Sequence, residues 1–348
     1  MIKKLIVGSG FSASIANLLL GKQTKIFSIN DHKNLNSEGF FRRKNLNCNK
    51  FFSKKSFSIG STEFILKRSN LHDRPIFGGN SYIWGGHINT KKLSKKLLKL
   101  LNRRKIFVKK LSYSTTGTTS SNKYIAQLQN TSAKIFRSSD ILPKVQNAII
   151  LDFSIIKKEI FVNVLFLNNL KKKKIKVKKL FLCVGTIQLI DLLFRSKLLK
   201  ENDEIEFTEF DHKFIFKFKN SKFIKNATTI RYSFSRAIGH LLGIQSFAKF
   251  LKFFNFVPIY IDQIFYNTKS KMKLILKGNI FIEKNNNNLS KFGSSIHYCN
   301  MKINGIPMNK FLSKINKNLI GIGMPFISQK IPGPISNDIL LDIEKKIS

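Results

Sequence analysis

Two glycine patterns carry most of the chemistry that the residues themselves suggest. Near the amino terminus, Gly8, Gly10 and Ala13 stand in the spacing Gly-x-Gly-x-x-Ala. After a strand and at the start of a helix, that spacing suits a dinucleotide. The first glycine permits a tight turn, and the second lets the backbone approach a pyrophosphate. A small third residue lets helix pack on strand, with the phosphates on the helix N-terminus. An ordinary strand-to-helix turn is the alternative. An acid at the end of the next strand would bind the adenosine ribose. Asn30 holds the natural register, so Asp31 serves only if the strand ends one residue later; otherwise it is a turn aspartate. The second pattern is Gly78-Gly79-Asn80-Ser81-Tyr82-Ile83-Trp84-Gly85-Gly86, two glycine pairs around the only Trp in the chain. Paired glycines expose backbone N–H groups and admit a bulky planar ligand; a glycine-rich loop with one buried aromatic is the simpler reading.

These residues need elements to hold them. Lys4 to Val7 reads as a short strand, Ala13 to Leu20 as a helix, and Ile26 to Ile29 as a second strand, which together open a parallel βαβ unit. Lys91 to Asn102 is a basic helix with Leu93, Leu97, Leu98 and Leu101 on one face. Ser112 to Asn122 reads as an exposed loop. Ile149 to Leu151 and Ile160 to Leu167 are strand-like, with a turn at Asn168-Asn169. Lys171 to Lys179 is the solvated face of a hairpin, and Leu180 to Val184 is a strand end buried on both faces. Residues 200–290 differ in character, being Phe-rich, and form a second domain. Within it, Ser246 to Phe265 is predicted as a core helix with Phe250, Phe253, Phe254 and Val257 inward, or else as an interfacial helix on anionic lipid. The chain divides into 1–200, 201–290 and a C-terminal segment, 291–348.

Composition bounds the rest. A length of 348 residues with 43% hydrophobic content allows one large domain or two and rules out general disorder. Three dispersed cysteines, Cys48, Cys183 and Cys299, fit neither a disulfide framework nor a zinc site, and point to a reducing cytoplasm. No metal is expected. The first twenty residues have the outline of a signal peptide, but the glycine spacing argues against one. The formal charge of +43 invites a nucleic-acid reading. The excess is Lys spread along the whole chain, and it travels with Phe, Ile and Asn, whose codons are all AT-rich. Compositional drift therefore explains it better than a dedicated nucleic-acid face. Such a surface still attracts anionic lipid or polyanions nonspecifically.

Four blocks in order resemble the glucose–methanol–choline flavoproteins. Gly78 to Gly86 is similar to the segment that lies against the flavin in that family. Phe181 to Gln188, continuing through Leu192-Leu193-Phe194-Arg195-Ser196, resembles its buried strand, small-residue turn at Gly185 and following helix. His297-Tyr298-Cys299-Asn300-Met301 stands where the family has its active-site histidine. Asn318 to Ser336 resembles the segment that closes back on the flavin ring, and brings Gly333 to it. Together the blocks cover about a third of the chain.

The resemblance implies an α/β fold: a Rossmann-like FAD-binding domain of the glutathione-reductase type with a smaller α+β substrate domain. It implies FAD bound by Gly8, Gly10, Ala13, Asp31, Gly78, Gly79, Ser81, Trp84, Gly85, Gly86, Gly185 and Gly333. It also implies hydride transfer from a CH–OH group, with His297 accepting the hydroxyl proton and His87 as a second candidate. The members with this short form imply a sugar or polyol substrate, free or lipid-linked, of the kind found in surface-polysaccharide synthesis. Three departures bear on catalysis. Gly333 stands where the family places a second His or Asn, Gly323 where it places an acid, and Cys299 and Asn300 where it places glycines. A degenerate flavin-fold protein that binds a partner or glycolipid is the second reading. A basic nucleic-acid or membrane-surface binder is the third.

Overall fold

The computed structural model describes residues 1–21, 23–28, 56–59, 62–65, 93–103, 145–200, 203–218, 228–233, 259–273, 279–281, 297–327 and 336–347. In chain order the first elements are β1 (Ile2–Val7), α1 (Phe11–Leu20), β2 (Thr24–Ser28), β3 (Ser56–Ile59), β4 (Thr62–Ile65) and α2 (Lys95–Arg103). There follow β5 (Gln146–Ile156), β6 (Glu159–Phe166), β7 (Lys171–Leu182) and α3 (Thr186–Arg195). Next come β8 (Glu204–Phe218), β9 (Thr228–Ser233), β10 (Ile259–Lys273), β11 (Asn279–Phe281), β12 (His297–Ile303) and β13 (Ile306–Pro307). The chain ends with α4 (Met308–Ile315), β14 (Leu319–Gly321), a 3-10 turn at Met324–Phe326 and α5 (Ser336–Ile347).

The first sheet is built on parallel strands in the order β2-β1-β7-β14. β5, β6 and β7 form an antiparallel meander, and the start of β5 runs parallel to the end of β2. β7 belongs to both arrangements. Lys171 to Val177 pairs with β6, and Val177 to Leu182 pairs with β1, the two partnerships meeting at Val177. Its sequence shows the change: four exposed lysines, then alternation, then Leu180, Phe181 and Leu182 all buried. That last run is what a strand covered on both faces requires.

Alternation along these strands sorts the core into two layers. Ile6, Ile26 and Phe181 pack with Ala13, Ile15 and Ala16 of α1, Leu97 and Leu101 of α2, and Ile339, Leu340 and Ile343 of α5. Leu5, Val7, Phe27, Leu180 and Leu182 pack with the meander (Val162, Val164) and with Ile205, Phe207, Met301 and Ile303. Each fully buried side chain of this kind contributes about 1.5–3 kcal/mol. Helices α1, α2 and α5 therefore lie on one side of the parallel strands, while the meander, α3, α4 and the start of the second sheet lie on the other. Local signals fix the ends. Lys4 Nζ donates to the carbonyl of Leu20 at the end of α1. Ser94 caps α2 by accepting from the Leu97 amide at 3.1 Å. Lys157 and Lys158, with φ 49° and 68°, make the tight turn between β5 and β6.

The second sheet runs β13-β12-β8-β10-β11-β4-β3, with β9 also on β10. β8 and β10 pair over their full length, from Ile259 opposite Phe218 to Lys273 opposite Glu204. This corrects the helix predicted for Ser246 to Phe265: residues Ile259 to Phe265 are strand, and Ser246 to Pro258 lie outside the described residues. The bulky run Ile259-Tyr260-Ile261, with Ile264-Phe265 after it, finds cross-strand partners on both β8 and β9, and this tertiary pairing outweighs the helical spacing of its aromatics. Among the described residues, no helix is long and apolar enough to cross a membrane.

Candidate functional site

Because β1, β2, β7 and β14 are parallel, the turns that follow them gather at one carboxyl edge. The turn after β1 is Gly8-Ser9-Gly10. Gly8 has φ +108°, and a Cβ there would collide with the carbonyl oxygen of Cys183 in the turn after β7. A side chain at this position is thus excluded twice, by conformation and by space. The Gly8 amide donates to the Phe27 carbonyl at 2.9 Å, and the Cys183 amide donates to that of Val7 at 2.9 Å, so the first turn is tied to the strand ends on both sides. The Ser28 hydroxyl donates to the Ser9 hydroxyl at 2.8 Å, closing the β2 end onto the glycine turn.

Gly10 is the N-cap of α1 and makes no side-chain cap; its carbonyl accepts from the Ser14 amide at 3.1 Å. Gly185 takes the same place before α3, where its carbonyl accepts from the Leu189 amide at 2.8 Å. The first turns of both helices lack acids. Each helix therefore presents the positive end of its dipole to the edge without a competing carboxylate. Ala13 is fully buried against the sheet, which needs a small residue there.

The turn after β14 arrives at the same place. The Ile322 amide donates to the Leu182 carbonyl at 2.9 Å. Gly323, at φ +114°, brings its backbone so close to α1 that a Cβ would lie 2.6 Å from Ser12 Oγ. Sequence reasoning did not single out this contact. The Gly321-Ile322-Gly323 pattern after a strand was the available signal. An acid at 323 would be strained by that conformation and would have to displace the Ser12 hydroxyl. Gly321 is crowded in turn by the Phe326 ring.

Of the other predicted site residues, Asp31, Gly78, Gly79, Ser81, Trp84, Gly85, Gly86, His87 and Gly333 lie outside the described residues. His297 opens β12, its backbone paired with Phe210 of β8; its imidazole also lies outside the described residues. The strand itself reaches the candidate edge. Cys299, fully buried, shares a core with Ile6, Ile322 and Ile327. Past Cys299 the ladder to β8 slips by one residue, and Asn300 sits there with φ 54°. Asparagine takes the left-handed conformation more readily than most residues, which suits it to this position. Burial pushes the Cys183 thiol far above its ordinary value, and the positive charge of Lys346 opposes this only in part.

No family model matches the chain, and no curated protein matches it. Among solved structures it is similar to a geranylgeranyl bacteriochlorophyll reductase-like protein from Thermoplasma acidophilum, at 12% identity over 99% of this chain and 76% of that one, with a TM-score of 0.31. It is similar to an aromatic hydroxylase from angucycline biosynthesis at 6% identity, over 99% of this chain and 60% of that one, with a TM-score of 0.33. A third is the glycerol-3-phosphate dehydrogenase from Bacillus halodurans complexed with FAD, at 9% identity over 77% of this chain and 48% of that one, with a TM-score of 0.26. The fold class rests on the chain's own geometry. It is α/β, with a Rossmann-like βαβ opening and its glycine turn at the carboxyl edge of parallel strands.

Proposed function

We propose that the chain is an FAD-dependent oxidoreductase whose dinucleotide lies at the carboxyl edge of β1, β7 and β14. The observation that carries this reading is the convergence of three glycine-bearing turns on the N-terminus of α1, with Gly8 pressed against Cys183 and Gly323 against Ser12. The edge fits the group. It offers a close backbone approach, an uncapped helix N-terminus and no first-turn acid, the donor set that a pyrophosphate takes. Gly8, Gly10 and Ala13 would hold that pyrophosphate, and Gly185 and Gly323 would border it. FAD supplies the hydride acceptor that oxidation of an alcohol carbon requires.

The finer reading is a glucose–methanol–choline-type enzyme acting on a CH–OH group of a sugar or polyol. His297 would take the hydroxyl proton, a role suited to an imidazole with its ordinary pKa of ~6.5. Residues 1–200 and 291–348 would bind FAD, and 201–290 would cover the substrate. Gly323 favours a second reading, a protein that binds FAD but turns over slowly or not at all. Where the resemblance implies an acid, the chain has a glycine whose conformation would strain any side chain.

An absorbance spectrum of the purified protein, before and after adding FAD, tests the first reading. Wild type should show flavin bands, and Gly10→Val should lose them. His297→Ala should keep the bands and lose their bleaching by an alcohol substrate. A wild type that takes up no FAD would sink the proposal. Bands that no alcohol bleaches would select the second reading.

A further inference from the structure

The opposite, amino edge of the same sheet holds a cleft of about 670 Å³ between β1, β2 and the meander. Its floor is apolar: Ile2, Phe27, Phe166 and Ile175. The Phe27 and Phe166 rings meet edge to face, with centroids 5.7 Å apart. Among the described residues the cleft is lined by Lys3, Lys25, Lys173, Lys174 and Lys176, together with Gln23 and Gln146, and by no carboxylate.

The placement of three of these lysines follows from strand alternation. On β1, Lys3 shares its face with Leu5 and Val7; on β2, Lys25 shares its face with Phe27; on β7, Lys173 shares its face with Ile175 and Val177. The apolar members of all three stripes belong to or pack on the meander-side core. Lys3, Lys25 and Lys173, all exposed, line this one cleft at the amino edge. The other two lysines are already engaged: Lys176 pairs with Glu159, and Lys174 lies over the Phe161 ring at 5.1 Å. Lys3, Lys25 and Lys173 carry no such ion pair among the described residues. Drift in composition adds lysine at exposed positions generally. Lysine takes both parities at the starts of β1 (Lys3, Lys4) and β7 (Lys171 to Lys174), so what marks this cleft is its apolar lining beside five lysines, with no lining carboxylate among the described residues.

We infer that this cleft binds a phosphate ester carried on an apolar body. The lysine heads would neutralise the phosphate, and the Ile2, Phe27, Phe166 and Ile175 floor would take the apolar portion. The ligand would reach it from the edge opposite the glycine turns, so the site is independent of any dinucleotide bound there.

The test uses the full chain and three probes: monomeric short-chain phosphatidic acid, phosphatidylcholine vesicles containing phosphatidic acid, and inorganic phosphate. Wild type is compared with Lys3→Gln/Lys25→Gln/Lys173→Gln and with Lys310→Gln/Lys314→Gln/Lys317→Gln, which removes the same charge from exposed positions elsewhere. The cleft variant should lose at least about tenfold in affinity for the ester and the control less than about twofold. Selective loss on the monomer points to a soluble ligand, and selective loss on vesicles alone to a lipid headgroup; either supports the site. Equal losses in both variants, or no binding of either ester by wild type, would overturn it. Inorganic phosphate binding as tightly as the ester would remove the apolar floor from the argument and overturn it as stated. Thermal melting of both variants, unchanged from wild type, confirms that folding is not what the titrations read.

Discussion

At the scale of single residues, the chain spends its unusual conformations where strands end and turns meet. Gly8 has no space for a side chain, Gly323 holds a conformation that strains one, and Asn300 takes a left-handed conformation in the bulge of β12. Asn300 yields a sharp comparison. Asn300→Gly should leave stability within a few tenths of a kcal/mol, whereas Asn300→Val should cost about 1–3 kcal/mol, since a β-branched residue at positive φ is strained. Urea unfolding of the two variants measures this. Equal stabilities would mean that the bulge relaxes and that the conformation is not required. The need for Gly8, Gly10 and Ala13 could be read from spacing alone, because the turn they make is local. The conformation of Asn300 could not. It follows from the one-residue slip in the ladder between β12 and β8, which sequence spacing does not carry.

At the scale of elements, one lysine supplements the apolar face that packs α5 on the sheet. Lys346 donates to Asn309 Oδ1 at 2.9 Å, to the Gly321 carbonyl at 2.8 Å and to Asp342 Oδ2 at 2.7 Å, and its ammonium lies 5.4 Å from the centre of the Phe326 ring. It thereby joins α5, α4, β14 and the 3-10 turn; Ser94 adds a bond from the start of α2 to Glu344. Burial pushes the Asp342 carboxyl above its ordinary value and the Lys346 amine below its own, while the attraction between them opposes both shifts. Lys346→Met leaves Asp342 without its cation and should cost about 2 kcal/mol at neutral pH. A carboxyl with a raised folded pKa contributes stability below its ordinary value and loses it as pH rises through the raised one. The deficit of the variant should therefore shrink on acidification, and denaturant unfolding at neutral and mildly acidic pH reads the difference. A deficit independent of pH would assign it to lost packing instead. The opening βαβ unit, α2 and the hairpin of β6 and β7 were legible because their apolar residues follow a single period and their turns are marked. The stretch ending at Phe265 misled because its aromatics satisfy a helical spacing while its strand partners lie on β8 and β9, distant in sequence. The double membership of β7 was half visible, in the shift from exposed lysines to a wholly buried run.

At the scale of the whole molecule, a formal charge of +43 makes self-repulsion part of the energy of the compact state. The melting temperature should rise by a few degrees between low and moderate ionic strength, where screening shortens the range of that repulsion to ~10 Å or less. A melting temperature indifferent to salt would mean that the lysines are spaced widely enough to ignore one another. The shared strand β7 bears on how the molecule is made. On the ribosome, β1, α1 and β2 emerge before β7, so β1 gains its second neighbour only when residues 177–182 have been synthesised, and β14 follows later still. Until then the nascent β1 has one unpaired edge, open to the wrong strand of this chain or of another. Joining residues so far apart is slow, so the interval before β7 arrives is when the protein is most exposed to misassembly and has most to gain from a chaperone.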